Sequence, residues 1–193
     1  MNEFVFRQID GNRSVHIFPE NPFRALRHKQ TVFLLAASQI FLNASAFGNV
    51  DSERNGANDF AIDCVLPPPG SRPVPAVSLA LEPANITAVA NDIGTDAIFL
   101  RQLIAQARPE DVAVAISTSG GSRNIIMALE EARKRSMLTV ALLGYDGGEI
   151  KRRALADFPI VVQCDYIPRI QEVQASIYHI MRETLEAIAR GQA

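Results

Sequence analysis

From residue 74 onward, short apolar or β-branched runs alternate with longer stretches whose apolar positions recur every three to four residues. Val74 to Leu81 reads as a strand with Pro75 at its start, and a short helix follows over 83–90. The turn Asn91-Asp92-Ile93-Gly94 leads to a helix from about Thr95 to Ala107, which stops before Pro109. Residues 112–116 form a compact β-branched run and predict a buried strand, followed by an amphipathic helix to about Arg135. A strand over 138–143, a short helix to about 155 and a strand over Pro159–Cys164 come next. Pro168 opens a long last helix to about Arg190, with Gly191 as its stop. Its apolar positions Ile170, Val173, Ile177, Ile180, Met181, Leu185 and Ile188 predict one continuous buried face.

The amino-terminal third is less regular. Residues 1–21 are poorly patterned, carry the turn Asp10-Gly11-Asn12 and read as an arm; residues 22–193 read as a single domain. From Pro22 to about Leu42 the pattern predicts a helix, whose apolar part, Val32 to Leu42, is too short to span a bilayer. Asn43 to Phe47 suggests a weak strand, Gly48 to Ser52 a small-residue loop, and 53–66 a helix ended by Pro67-Pro68-Pro69-Gly70. Alternating strands and helices imply βαβ units and a parallel sheet covered on both faces. Ligands of such sheets bind beyond the carboxyl ends of the strands. That edge would collect Gly48–Ser52, Glu82, Ser117–Ser122 and Gly144–Gly148.

The richest chemistry lies after the 112–116 strand. Ser117, Thr118, Ser119 and Ser122 surround Gly120-Gly121 just before a helix begins. A helix start presents unpaired N–H groups and partial positive charge, and the hydroxyls add donors, so the loop suits a phosphate. Neither a Walker A lysine nor a GxGxxG pattern is present, which points to a small phosphate ester rather than a nucleoside triphosphate. Ser119 or Ser122 acting only as a helix cap is the plainer alternative. Four hydroxyls in six residues exceed what a cap requires.

Composition narrows the class. Over 193 residues the chain is 48% hydrophobic with a net charge of −2 and no basic runs, which argues for a soluble globular protein and against nucleic-acid binding. The two cysteines, Cys64 and Cys164, match no metal spacing, sit in apolar surroundings and suggest a reducing cytoplasm. No signal-peptide pattern opens the chain, and no membrane association is expected.

Several segments, in order, resemble the sugar isomerase (SIS) domain, and within it phosphoheptose isomerase and the related replication-initiator-associating protein. They are Arg72 to Ala76, Thr87 to Asp92, Ser117 to Ser122, Gly144 to Gly148 and Arg169 to Glu172. The resemblance implies an α/β three-layer sandwich, flavodoxin-like, with a five-stranded parallel sheet, assembled as a homotetramer with sites at subunit interfaces. It implies that Ser52, Ser117, Thr118, Ser119 and Ser122 bind the phosphate of a phosphosugar, with Asn49, Glu82 and Gln171 also at the substrate. The implied reaction is ketose–aldose isomerisation of sedoheptulose 7-phosphate through an enediol, with Asp63 as base and His179 as acid. A zinc or other divalent ion would be held by Asp59, Asp63, Gln171 and His179.

The carry-over is uneven. Gln171 and His179 keep the family's spacing of eight. Anchoring on Phe60-Ala61 puts Asp59 where the family has a histidine and Asp63 at its catalytic glutamate. Anchoring on Gly48-Asn49 and Ser52 puts Asn58 at the histidine position. The family's Gly-Asn-Gly-Gly-Ser is here Gly48-Asn49-Val50-Asp51-Ser52, and Glu82 replaces an aspartate. A shorter base displaces the reacting oxygen, and misplacement of about 1 Å can cost about a hundredfold in rate. A metal site with two aspartates is richer in oxygen and less zinc-like. Each residue also has a plainer reading: His179 as a packed histidine, Gln171 or Glu82 as helix-start groups, and Asp59 and Asp63 as solvated carboxylates. A non-catalytic phosphosugar sensor or protein-binding scaffold is therefore the rival function.

Overall fold

The protein was analysed as a computed structural model, which describes residues 73–189, the helical pair 64–65 and the strands at 6–7, 14–15 and 32–36. Phe6–Arg7 (β1) and Ser14–Val15 (β2) pair antiparallel, Phe6 opposite Val15. The main sheet is parallel throughout and contains Val32–Ala36 (β3), Ala76–Ser78 (β4), Val112–Ser117 (β5), Leu138–Gly144 (β6) and Phe158–Val162 (β7). Its order is β4-β3-β5-β6-β7.

The helices are Pro83–Asp92 (α1), Ile98–Gln106 (α2), Arg123–Lys134 (α3), Gly148–Arg152 (α4) and Ile167–Ala189 (α5). A one-turn 3-10 segment, Thr95–Ala97, precedes α2.

Each central strand feeds two cores. Ala113 and Ala115 of β5, with Ala141 and Leu143 of β6, face Ile86, Phe99, Leu103, Ile125 and Leu129 of the helices on one side. Val112, Val114, Val140 and Leu142 face Ile170, Ile177, Met181 and Leu185 of α5 on the other. Side chains alternate across a strand, so a strand covered on both faces reads as an unbroken apolar run.

Two expectations require correction. Of the helix predicted from Pro22 to Leu42, the described residues Val32–Ala36 are strand β3 instead, paired with both β4 and β5. An apolar run buried on two faces has no period that distinguishes strand from helix. The strand predicted over Val74–Leu81 is only Ala76–Ser78, because the chain turns back where the Leu81 N–H bonds to the Ser78 carbonyl at 3.2 Å. The expected strand at 43–47, the loop at 48–52 and nearly all of the 53–66 helix lie outside the described residues.

The last helix runs as predicted, but its buried stripe includes Gln174 and Tyr178, while Val173 and Ile180 are only half-buried. Gln174 is tolerated there because its side-chain N–H donates to the Leu142 carbonyl at 3.0 Å. Among the described residues, no helix is long and apolar enough to cross a membrane.

Candidate functional site

In a sheet of this order, the first and third strands of the parallel set run side by side while their connections leave in opposite directions. The crevice at their carboxyl ends is the usual ligand position. Here those strands are β3 and β5, and the loop leaving β5 is Ser117–Ser122.

The four hydroxyl residues divide into two inner and two outer groups. Ser117 is fully buried, and its oxygen accepts the Gly120 N–H at 3.1 Å, closing the turn from within. Thr118 is also buried. Ser119 is exposed and Ser122 half-exposed. The Ser119 oxygen accepts the Gly121 N–H at 3.2 Å. Ser122 occupies the N-cap of α3 with extended backbone, yet its side chain makes no capping bond. Capping therefore does not account for the Ser122 hydroxyl. The first turn of α3 is capped instead at Ile125, whose N–H donates to the Asn124 Oδ1 at 2.9 Å, which leaves the N–H groups of Arg123 and Asn124 for a ligand.

The loop is held in shape by its neighbour, a feature of the glycines that sequence reasoning missed. Gly120 (φ 61°) lies against Gly147, so a Cβ on Gly120 would stand 2.1 Å from the Gly147 carbonyl oxygen. Gly148 (φ 56°) lies as close to the Ser119 carbonyl, where a Cβ would stand 2.2 Å away. The Ile150 N–H then donates to the Gly120 carbonyl at 2.9 Å. Gly144 is closed in as well, by the Thr118 carbonyl and by Ile170 of α5. Two backbones thus touch without side chains between them, as only glycine permits. The available signal was the pair of double glycines, Gly120-Gly121 and Gly147-Gly148, after two strands that turn out to be adjacent.

Asp146 completes the second loop. Its oxygen accepts the Gly148 N–H at 2.9 Å. That bond holds the carboxyl below its ordinary range; slight desolvation opposes the shift, and its own N–H, Arg152 and Lys151 reinforce it.

The remaining candidates are dispersed. Glu82 caps α1, its carboxylate accepting the Ala84 N–H at 3.2 Å, with Pro83 opening the helix. Gln171 is half-buried near the start of α5, one residue from the Ile170 side chain that meets Gly144. His179 is exposed, its ring 4.6 Å from that of Tyr178. At 3.6 residues per turn it lies roughly 150° around the helix from the buried stripe. It also lies about 7.5 Å further from the serine-bearing edge than Gln174 at 1.5 Å per residue. Within one chain, Ser122 and His179 are therefore not brought together.

Asn49, Ser52, Asp59 and Asp63 lie outside the described residues. Only Gln171 and His179 of the tentative metal set are described, and among the described residues no three His, Cys, Asp or Glu side chains gather as a metal group. Cys64 and Cys164 are both unbridged and belong to the α5-side core, in line with their packing role.

Comparison with known proteins gives these features a context. Residues 43–144, more than half of the chain, match the SIS domain. A phosphoheptose isomerase of Geobacter sp. (strain M21) is 47% identical over 115 residues, covering 60% of this chain and 59% of that relative. One of Helicobacter pylori (strain P12) is 41% identical over 111 residues, 58% of this chain and 57% of the relative. The match thus spans about three-fifths of the length of these curated relatives. Among solved structures, a phosphoheptose isomerase from Francisella tularensis superposes with a TM-score of 0.70 at 27% identity, over 85% of this chain and 82% of that one. One from Neisseria gonorrhoeae gives 0.66 at 29% identity, over 86% and 82%.

Proposed function

Since this chain belongs to the SIS domain family, we propose that it binds a phosphosugar and interconverts its ketose and aldose forms. The proposed substrate is sedoheptulose 7-phosphate, as the names of its phosphoheptose isomerase relatives suggest. The observation that carries this reading is the serine loop at the β3/β5 crevice, held open by glycine contacts with an uncapped Ser122. Phosphate would sit against the α3 amino end, with Ser119 and Ser122 donating from the outside and Ser117 and Thr118 keeping the loop in shape. Ser52 and Asn49 would reach the same crevice from the loop after β3, and Gln171 from α5.

The chemistry asks for two groups. Asp63 would take the proton from C1 of the ketose and return it to C2, while His179 would give a proton to the C2 oxygen as the enediol forms and regain one from the C1 hydroxyl as the aldehyde forms. A divalent ion, when bound, would polarise the substrate oxygens. Asp59, Asp63, Gln171 and His179 would hold it with mostly oxygen donors, a set that suits a harder ion than a thiolate site does. The exposed, set-back position of His179 favours its acting in a site shared with another copy, in keeping with a homotetramer of three-layer domains with five parallel strands; the unbridged cysteines favour a cytoplasmic location. The same observation supports the second reading, a phosphosugar sensor or scaffold that binds without turnover.

Titration of the full chain with sedoheptulose 7-phosphate, with aldose formation followed by NMR in the same sample, separates the two. Binding with turnover that is lost in Asp63→Asn and in His179→Ala is the expected result. Turnover that survives His179→Ala overturns the assignment of the acid. Binding without turnover, with and without added zinc, points to a sensor or scaffold, or to a different phosphosugar as the true substrate.

A further inference from the structure

Arg123 is the first residue of α3, one position beyond the uncapped Ser122. Helical side chains lean toward the amino end of their helix. For Arg123 that is the end at which the loop hydroxyls of Ser119 and Ser122 lie. Its partner is Asp96, on the 3-10 turn that packs against the start of α3. The Arg123 Nε lies 3.6 Å from the Asp96 Oδ2, and the side chains are 69% and 52% exposed.

Two features of this pair matter. At that distance it is a loose ion pair rather than a hydrogen bond, and exposed pairs of this kind hold their partners weakly. The contact also engages Nε and leaves the two terminal nitrogens, part of the planar fork that can grip a phosphate bidentately, outside the pair. On the neighbouring loop Arg152 is already engaged, 2.9 Å from the Glu149 carboxylate.

We propose that Arg123 grips the phosphate of the bound ligand, and that Asp96 holds it beside the site until the ligand arrives. This deepens the phosphate reading of the Ser117–Ser122 loop and rests on it. A guanidinium adds a full positive charge and a planar fork to a loop of otherwise neutral donors. The ligand class it favours is a phosphate monoester carrying two charges over a singly charged diester. Asp96 opposes binding in two ways, by competing for the arginine and by repelling the anion. Only the first requires Arg123.

The test is calorimetric titration of inorganic phosphate and of sedoheptulose 7-phosphate into the full chain and four variants: Arg123→Gln, Arg123→Lys, Asp96→Asn and the Asp96→Asn/Arg123→Gln pair. Arg123→Gln is expected to weaken binding about tenfold and to flatten its salt dependence. Arg123→Lys keeps the charge without the fork and should lie between. Asp96→Asn should tighten binding about two- to fivefold, and that gain should largely vanish in the double variant.

Binding by Arg123→Gln equal to that of the wild type, while Ser122→Ala is weakened, would overturn the role of the arginine and leave the loop's role intact. A gain from Asp96→Asn that is equal in both backgrounds would overturn the exchange between Asp96 and phosphate. Absence of any phosphate binding by the wild type would overturn the loop and the arginine together. Melting temperatures close to that of the wild type are expected for all four variants, since both side chains are exposed.

Discussion

The two ends of the parallel sheet solve the same problem in opposite ways. Every strand end leaves polar backbone groups that must be paired or solvated. At the amino ends, side chains do the pairing. Asp157 accepts both the Thr139 N–H and its hydroxyl, at 2.9 and 2.8 Å, and the Thr139 hydroxyl in turn accepts the Asp157 N–H. Asp111, almost wholly buried, accepts the Arg108 N–H at 2.8 Å, and Arg135 donates to the Ala107 carbonyl. A cleft of about 360 Å³ does open there, lined by Arg133, Ser136, Met137, Leu138 and Asp157. Both of its charged groups are engaged, since Arg133 donates to the Ala154 carbonyl and Asp157 serves Thr139.

At the carboxyl ends the loops are braced by backbone against backbone instead. Gly120 touches Gly147, Gly148 touches Ser119, and the Ser122 hydroxyl is left without a capping bond. One edge is closed by its own side chains; the other is rigid but chemically open. Rigidity with unspent donors is what a binding site requires. The cleft at the amino end is therefore the poorer candidate.

The sharpest way to break this contrast is Gly120→Ala. Its Cβ would collide with the Gly147 carbonyl at 2.1 Å, in a backbone conformation that L-residues resist. A loss of about 3 kcal/mol or more is expected, together with loss of phosphate binding, read by thermal melting and by titration. Retained stability and affinity would mean that the two loops do not brace one another.

Asp157→Ala tests the opposite edge. It strips the buried Thr139 N–H and hydroxyl of their acceptor and should cost about 1–3 kcal/mol, with phosphosugar affinity unchanged. A drop in affinity as large as that in stability would show that the edges are coupled.

Ser122→Ala reverses the pattern. Without a capping bond to lose, stability should move by less than about 0.5 kcal/mol, while phosphate affinity falls roughly tenfold for one lost charge-assisted bond. A clear loss of helix stability would show that the hydroxyl is a cap after all.

The smallest effect concerns pH. Because the Gly148 N–H holds the Asp146 carboxyl below its ordinary value of 3.8, the charged form is favoured in the folded state. The stabilisation is fully present above that value and is lost as the pH falls through the lowered one. Asp146→Asn should lower the melting temperature slightly at neutral pH and converge on the wild type under strong acid. Curves that stay parallel at every pH would remove Asp146 from the bracing of the loop.

Much of this was legible before any coordinates. The run at 112–116, the serine loop and the amphipathic helix after it are local features, with period and composition set by neighbouring residues. They appear as β5, the loop and α3 with bounds shifted by a residue or so. Val32–Ala36 was misread because its surroundings are non-local: β4 and β5 flank it, from 40 or more positions along the chain. Gln174 was hidden for a related reason, since the carbonyl that makes it acceptable in a core belongs to Leu142, 32 residues away.

By itself, then, the sequence determined what can be encoded between near neighbours: the alternation of strands and helices, the hydroxyl-rich turn before α3 and the family those segments resemble. Tertiary structure alone decided which loops meet. Gly120 and Gly147 are separated along the chain yet share one van der Waals gap, and Ser122 and His179 belong to the same expected site yet stand at the start of α3 and in the middle of α5. Proximity of that kind follows from strand order and helix rotation, which depend on how whole surfaces pack and not on any one segment's pattern.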